Sequence, residues 1–282
     1  MFNLKTGRLI CKIKSGNKQF DNKLLYLDSE EKNICCDKCN EKCVKKPCCG
    51  GCNLCVCEDN DNIEFGNVVR FSNNTKLQQL PRLDEREINY VCGPSGSGKS
   101  TYASKLMRAY NILFPHRRIF IFSRADIKKD PCFKGIHNIF QIPINETLVE
   151  TPIDITRELE YGTMVLFDDC NTIQDDKQKK VIDKLITDIM EVGRKLGIWI
   201  IITNHLVIPN EKKVARSILN EIHTITFFPK SGSAQQITYC LNKYFGLNNK
   251  QISNILSIPS RWVTIYKNYP MFVLYENGAF LI

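Results

Sequence analysis

The chain has 282 residues, 43% of them apolar, enough for one large core or a medium core with a smaller module. Its longest apolar stretches, such as "MVLF" and "IWIII", fall far short of the roughly 20 residues of a membrane-spanning helix, so no membrane role is expected. The formal charge of +9, from 39 basic and 30 acidic side chains, suits a polyanionic partner and equally suits ordinary solubility.

The N-terminal "MFNLKTGRLICKI" has no signal-peptide apolar core, which argues against secretion. "RLICKIKSG" and "NKLLYLD" read as strands, and so does "NIEFGNVVRF" further on. Between them lies a cysteine cluster. Ten of the 14 cysteines precede residue 60, and nine of these fall in "CCDKCNEKCVKKPCCGGCNLCVC". Cys36 and Cys39 form one Cys-x-x-Cys knuckle, and Cys49 and Cys52 another. A tight turn at that spacing brings two thiolates to one ion. With no histidine nearby, a thiolate-only tetrahedral Zn²⁺ site is the expectation. Disulfides fit poorly without a secretion signal, and the spacing after Cys55 breaks a ferredoxin-type run. The cluster is read as an excursion from a small β-rich region, and the polar stretch from Phe71 to Arg86 as its linker. Residues 1–84 are thus expected to form an N-terminal region and residues 85–282 a second domain.

"VCGPSGSGKST" matches G-x-x-x-x-G-K-[ST], from Gly93 through Pro94, Ser95, Gly96, Ser97 and Gly98 to Lys99, Ser100 and Thr101. Small residues let successive backbone N–H groups converge on phosphate oxygens with no Cβ in the way. Lys99 would reach the β- and γ-phosphates, and the Ser100 hydroxyl would sit on Mg²⁺. The context is right. "REINYVC" reads as a strand before the loop. "STYASKLMRAYNILF" reads as a helix after it, with Tyr102, Leu106 and Tyr110 on one face. A flexible Gly/Ser linker needs neither the Lys-Ser pair nor these flanking elements.

"HRRIFIFSR" is a further strand. "GTMVLFDDC" then ends a buried strand in Asp168 and Asp169. At the carboxyl edge of a parallel sheet these acids would lie beside the loop. Asp168 is the candidate Mg²⁺ ligand, and Asp169 the candidate base for the attacking water. The separation of loop and acids favours the ATPases in which an extra strand lies between the two motifs. No N-K-x-D guanine signature is present. The stretch "DKQKKVIDKLITDIMEVGRKLG" repeats apolar pairs every four residues, a helix. "IWIIITNH" follows as a strand whose tip, Thr203 and Asn204, should adjoin the acids. Asn204 is a candidate γ-phosphate sensor. "KKVARSILNEIHTITFFP" reads as helix then strand, and "ENG" near the end as a hairpin turning at Asn277-Gly278. Arg194 and Arg216 are candidates for transition-state charge, in this chain or a neighbour. The fold class expected is α/β, a P-loop NTPase parallel sheet flanked by helices, with a small cysteine-rich, β-rich N-terminal region.

"GPSGSGKST", "MVLFDD", "GRKLGIWIIITNH" and "ARSILNEIHTITFFP" together resemble the genome-packaging ATPases of large nucleocytoplasmic DNA viruses, the poxvirus-type branch of the FtsK–HerA group. The resemblance covers residues from about 87 to 282. In that family the sensor strand often ends in Gln, where this chain has Thr203-Asn204, and the cysteine-rich segment is not part of the pattern. The resemblance implies Mg²⁺-dependent ATP hydrolysis coupled to moving double-stranded DNA, a homo-oligomeric ring and contact with capsid proteins. It also implies a place in the host cytoplasm, a viral factory or the virion. A regulatory, non-motor ATPase and a nucleotide kinase use the same loop and stay open at this stage. A kinase would need an Arg-rich lid segment, which the sequence does not show.

Overall fold

The structure, a computed structural model, describes residues 1–28, 66–83, 85–208 and 212–282. In chain order the elements are β1 (Phe2–Asn3), β2 (Arg8–Lys14), β3 (Leu24–Leu27), β4 (Val68–Arg70), β5 (Lys76–Gln79), β6 (Ile88–Cys92) and α1 (Lys99–Leu113). Next come β7 (Ile119–Ser123), β8 (Ile139–Pro143), α2 (Glu146–Glu150), α3 (Ile155–Glu158), β9 (Met164–Phe167) and α4 (Asp176–Glu191). The chain continues with β10 (Trp199–Asn204), α5 (Lys212–Glu221), β11 (Thr224–Phe227), α6 (Ala234–Phe245) and α7 (Asn249–Leu256), and closes with β12 (Val263–Tyr266), β13 (Phe272–Tyr275) and β14 (Gly278–Leu281).

Ten strands form one mixed sheet in the order β4-β14-β13-β12-β11-β6-β10-β9-β7-β8. From β11 to β8 every neighbouring pair is parallel, and from β11 to β4 every pair is antiparallel. Strands β6, β9 and β10 are buried along their whole length. Their unbroken apolar runs follow from cover on both faces. Residues alternate between the two sides. Val91, Ile121, Leu166 and Ile201 meet Tyr102, Leu106, Met107 and Tyr110 of α1. Tyr90, Phe122, Phe167 and Ile202 meet the helices of the opposite layer, including Ile182, Leu185 and Ile189 of α4. Burying each such large side chain contributes about 1.5–3 kcal/mol. The result is an α/β fold, one mixed sheet with helices on both faces.

The strand lying between β6 and β9 is β10, which follows both in sequence. The strand that separates loop and acids along the chain, β7, lies outside β9 instead. The interposed strand expected from sequence is therefore present, supplied by a later segment.

The N-terminal residues form a four-stranded sheet, β1-β3-β2-β5. It packs beside α1 on the face of the antiparallel strands. Phe2, Ile10, Ile13, Leu25 and Leu77 share one core with Tyr266, Phe272, Leu274 and Ala279. Strand β5 lies inside the stretch expected to be a linker and pairs with β2. Its apolar signal is weak because only Leu77 and Gln79 turn inward. Strand β4 belongs to the large sheet, paired with β14. The cysteines assigned to zinc, Cys36, Cys39, Cys49 and Cys52, lie outside the described residues.

Two further departures have simple causes. The terminal hairpin turns at Glu276-Asn277, one residue earlier than expected, because Tyr275 pairs with Gly278. Glycine is required at 278 for close approach. A Cβ there would sit 2.6 Å from the Val69 carbonyl oxygen and against the Tyr275 hydroxyl. Helices α6 and α7 were not expected, although both have caps. Ser233 accepts from the Gln236 N–H, and Asn248 with Gln251 forms a capping box.

At the lower end of the sheet, His223 Nδ1 accepts the Ile88 N–H at 2.9 Å, which fastens the start of β6. Burial, then the nearby charges of Arg86 and Arg82, hold its imidazole down at about 4, against an ordinary 6.5. Folded His223 therefore stays neutral while the unfolded chain takes up a proton. Its contribution is present above pH 6.5 and is lost as pH falls toward 4, on the order of 2–3 kcal/mol. His223→Gln keeps an acceptor without the titration. Thermal melts at pH 7 and pH 4.5 are expected to show a smaller acid-induced fall in Tm for this variant than for the wild type. Equal falls would remove His223 as the source.

Candidate nucleotide site

The loop leaves β6 at Gly93, whose N–H donates to the Asn204 carbonyl at 3.0 Å. Ser97 N–H donates back to the Pro94 carbonyl at 3.2 Å, closing a turn. A Cβ on Gly93 would lie 2.8 Å from Ser97 Oγ and 2.9 Å from Phe228, so only glycine fits the close wrap. Gly98 caps α1 at φ +110°, a conformation that side chains rarely adopt. Ser95, Gly96 and Thr101 are exposed and Ser100 is half-buried, while Lys99 and Ser97 are buried. The loop thus presents a backbone cradle to solvent at the N-terminus of a 15-residue helix.

Strand β9 delivers the two acids to the same end of the sheet. Asp168 continues the sheet, its N–H donating to the Phe122 carbonyl at 2.9 Å. Asp169 then turns into the left-handed region at φ 46°. Thr203 joins the pair. Its hydroxyl accepts the Asp169 N–H at 2.8 Å and donates to Asp168 Oδ1 at 2.9 Å. Burial, and secondarily the Asp169 charge, raise the Asp168 carboxyl above its usual range, with the Thr203 hydrogen bond acting in the opposite direction. A carboxylate in that state gains most from an incoming cation.

Lys99 meets the acids from the loop. Its Nζ lies 3.6 Å from Asp169 Oδ1, 3.4 Å from the Pro94 carbonyl and 3.4 Å from His205 Nδ1. His205 Nε2 in turn lies 3.1 Å from Asp169 Oδ2. The amide cradle, the lysine and the twin acids therefore converge on one small volume, with Thr203 and His205 as their supports.

Asn204 is at this edge but its side chain turns away. Its Oδ1 accepts the Leu206 N–H at 3.0 Å, and its side chain meets the Tyr90 hydroxyl. Alternation along β10 explains this, since Thr203 and His205 share the face toward the acids and Asn204 takes the other. The i, i+2 spacing of "TNH" is the signal that would have pointed to His205. Arg194 is exposed and lies before β10, at the opposite edge of the sheet. Six strand residues, roughly 20 Å, separate it from the acids of its own chain. Arg216 is exposed on α5.

The residues fit a Mg²⁺–nucleoside triphosphate. The cradle excludes a Cβ at Gly93, Ser100 stands beside the buried lysine, and one of two adjacent carboxylates carries its charge at a cost. Among the described residues no group of three or more His, Cys, Asp or Glu side chains could hold a metal by itself.

The geometry defines the class as an α/β protein whose glycine-rich loop, between β6 and α1, faces paired carboxylates. No protein-family model matches the chain. It is 46% identical over 204 residues to the uncharacterized protein V3 of Sputnik virophage, covering 72% of this chain and 80% of that one. The chain belongs to that protein's family. Similar solved structures include the DNA-packaging ATPase B204 from Sulfolobus Turreted Icosahedral Virus, at 12% identity and TM-score 0.49, over 69% of this chain and 98% of that one. The B204 genome-packaging NTPase of Sulfolobus turreted icosahedral virus 2, in complex with AMPPCP, is similar at 10% identity and TM-score 0.46, over 68% and 97%. The cytoplasmic domain of the type VII secretion ATPase EccC of Thermomonospora curvata is similar at 14% identity and TM-score 0.47, over 74% and 28%.

Proposed function

We propose that the chain is an ATP-hydrolysing motor that translocates double-stranded DNA, acting in viral genome packaging. The observation that supports the reading best is the convergence of Lys99 and Asp169 at 3.6 Å, with Asp168 and Thr203 behind them. Backbone N–H groups of residues 95–101, other than that of Ser97, bind the phosphates. Lys99 leaves its contact with Asp169 for the β- and γ-phosphate oxygens. Freed, Asp169 accepts the proton of the water that attacks the γ-phosphorus as the bond to the β-γ bridging oxygen breaks. Thr203 holds both carboxylates in register, and His205 orients Asp169. Mg²⁺, held by Ser100 and through water by Asp168, would neutralise charge developing on the phosphate oxygens.

Arg194 and Arg216 enter the reading in trans, since Arg194 is remote from its own site; a homo-oligomeric ring would bring one subunit's arginine to the next subunit's phosphates. The formal charge of +9 supplies sequence-independent attraction to the DNA backbone. Capsid proteins would be the docking partners of such a ring. The zinc expectation for Cys36, Cys39, Cys49 and Cys52 rests on ligand spacing alone and is tested by metal content of the purified chain. Among the described residues no helix is long and apolar enough to cross a membrane.

The deciding measurement is ATP turnover with and without double-stranded DNA, over a salt series. Stimulation that fades steeply with salt is expected of a motor. Turnover indifferent to DNA would overturn the translocase reading and favour a regulatory ATPase. Stimulation by a small nucleotide acceptor would favour a kinase.

A further inference from the structure

A pocket of about 410 Å³ opens beside the phosphate loop, on the side away from the acids. Its lining includes Gln78, Thr101, Lys105, Phe228, Arg261 and Trp262. We propose that this pocket receives the nucleoside end of the triphosphate, and that strand β5 of the N-terminal sheet forms one of its walls. The inference rests on the ATPase reading of the loop and adds a place for the base and ribose.

Sheet order carries the argument. The acids lie on the β10–β9 side of β6, and Phe228 and Trp262 lie on the β11–β12 side. A triphosphate whose γ end faces Lys99 and Asp169 runs its α end toward Ser100 and Thr101. The nucleoside must then leave the loop past Gly98 and Thr101, which are pocket residues. Volume and composition suit it. A cavity of this size, with aromatic walls and a few polar groups, is typical of small-molecule sites. Trp262, half-buried at the pocket wall, offers π surface to a base, with buried Phe228 behind the loop. The Arg261 guanidinium lies against the loop, 3.5 Å from where a Gly98 Cβ would be. Its backbone is pinned, the N–H donating to Glu276 Oε2 at 2.9 Å. Stacking on aromatic rings and guanidinium planes holds a base without demanding one sequence of atoms.

The wall from β5 carries a second observation. Gln79 is 6% exposed, and its Nε2 is buried with no hydrogen-bond partner in the protein. Its Oε1 accepts from the Tyr102 hydroxyl, which also meets Thr264 Oγ1 at 2.6 Å. An unmet amide donor in the pocket lining calls for an acceptor, such as a ribose oxygen or a base ring nitrogen. The N-terminal sheet thus touches the nucleotide directly and reports its presence to the packed interface with α1.

The test compares ATP with inorganic tripolyphosphate by calorimetry on the full chain. Arg261→Ala removes an exposed side chain, and Gln78→Phe fills the pocket from the N-terminal side. Each is expected to weaken ATP about tenfold or more and to leave tripolyphosphate affinity unchanged. Lys99→Ala should weaken both ligands, and its failure to do so would indict the loop reading itself. Equal loss of ATP and tripolyphosphate in Arg261→Ala would make the arginine a phosphate contact and overturn the pocket. Unchanged ATP binding in both variants would overturn it as well. So would loss confined to an oligonucleotide, which would turn the pocket into a nucleic-acid contact.

Discussion

Asp169→Asn is expected to bind ATP about as well as the wild type and to hydrolyse it some 10²–10⁴ times more slowly, the usual contribution of a positioned general base. The variant isolates proton acceptance from architecture. Asparagine tolerates the left-handed backbone found at φ 46° better than most residues do. The Asp169 N–H bond to Thr203 Oγ1 is a backbone interaction and survives the exchange. What changes is charge. Lys99 loses its anionic contact at 3.6 Å and His205 its partner at 3.1 Å, so the lysine is freer to meet phosphate. Equal or tighter ATP binding with lost turnover, measured in one preparation, is the signature. Turnover within a few-fold of wild type would move the base elsewhere, and the adjacent Asp168 would be tested next.

Lys99→Ala is expected to cut turnover by 10² or more and to weaken nucleotide binding at the same time, unlike the previous variant. The lysine is 5% exposed and its amine is held by Asp169, the Pro94 carbonyl and His205. Removing it leaves Asp169 with its histidine contact, and the loop keeps its own backbone bonds from Gly93 to Asn204 and from Ser97 to Pro94. The fold should therefore persist, which a thermal melt would verify. Wild-type turnover in a folded Lys99→Ala protein would remove the site assignment altogether.

How far the sequence was legible depended on how local each signal was. The loop and α1 could be read outright, because glycine spacing and a four-residue apolar repeat are properties of adjacent residues. The paired acids at the end of β9 could be read for the same reason. The order of strands could not, since nothing local says that β10 inserts between β6 and β9. Asn204 was the natural choice of sensor by residue type, yet strand alternation gives the acid-facing positions to Thr203 and His205. Strand β5 was lost because its inward positions are Leu77 and Gln79, and a glutamine on the buried face breaks the pattern that marks a strand. Its burial makes sense only through Tyr102, 23 residues later. Helices α6 and α7 carry local cap signals at Ser233 and Asn248.

The shared core between the N-terminal strands and the antiparallel half of the large sheet has a practical consequence for anyone dissecting the protein. A fragment begun at residue 85 would keep every element of the phosphate site and still be a poor reagent. It would strip the cover from Tyr266, Phe272 and Leu274 and discard β4, leaving β14 as a raw sheet margin open to pairing with other copies. Clumping of such a truncation would reflect the surgery rather than the enzyme, and the minimal working unit starts near the first residue.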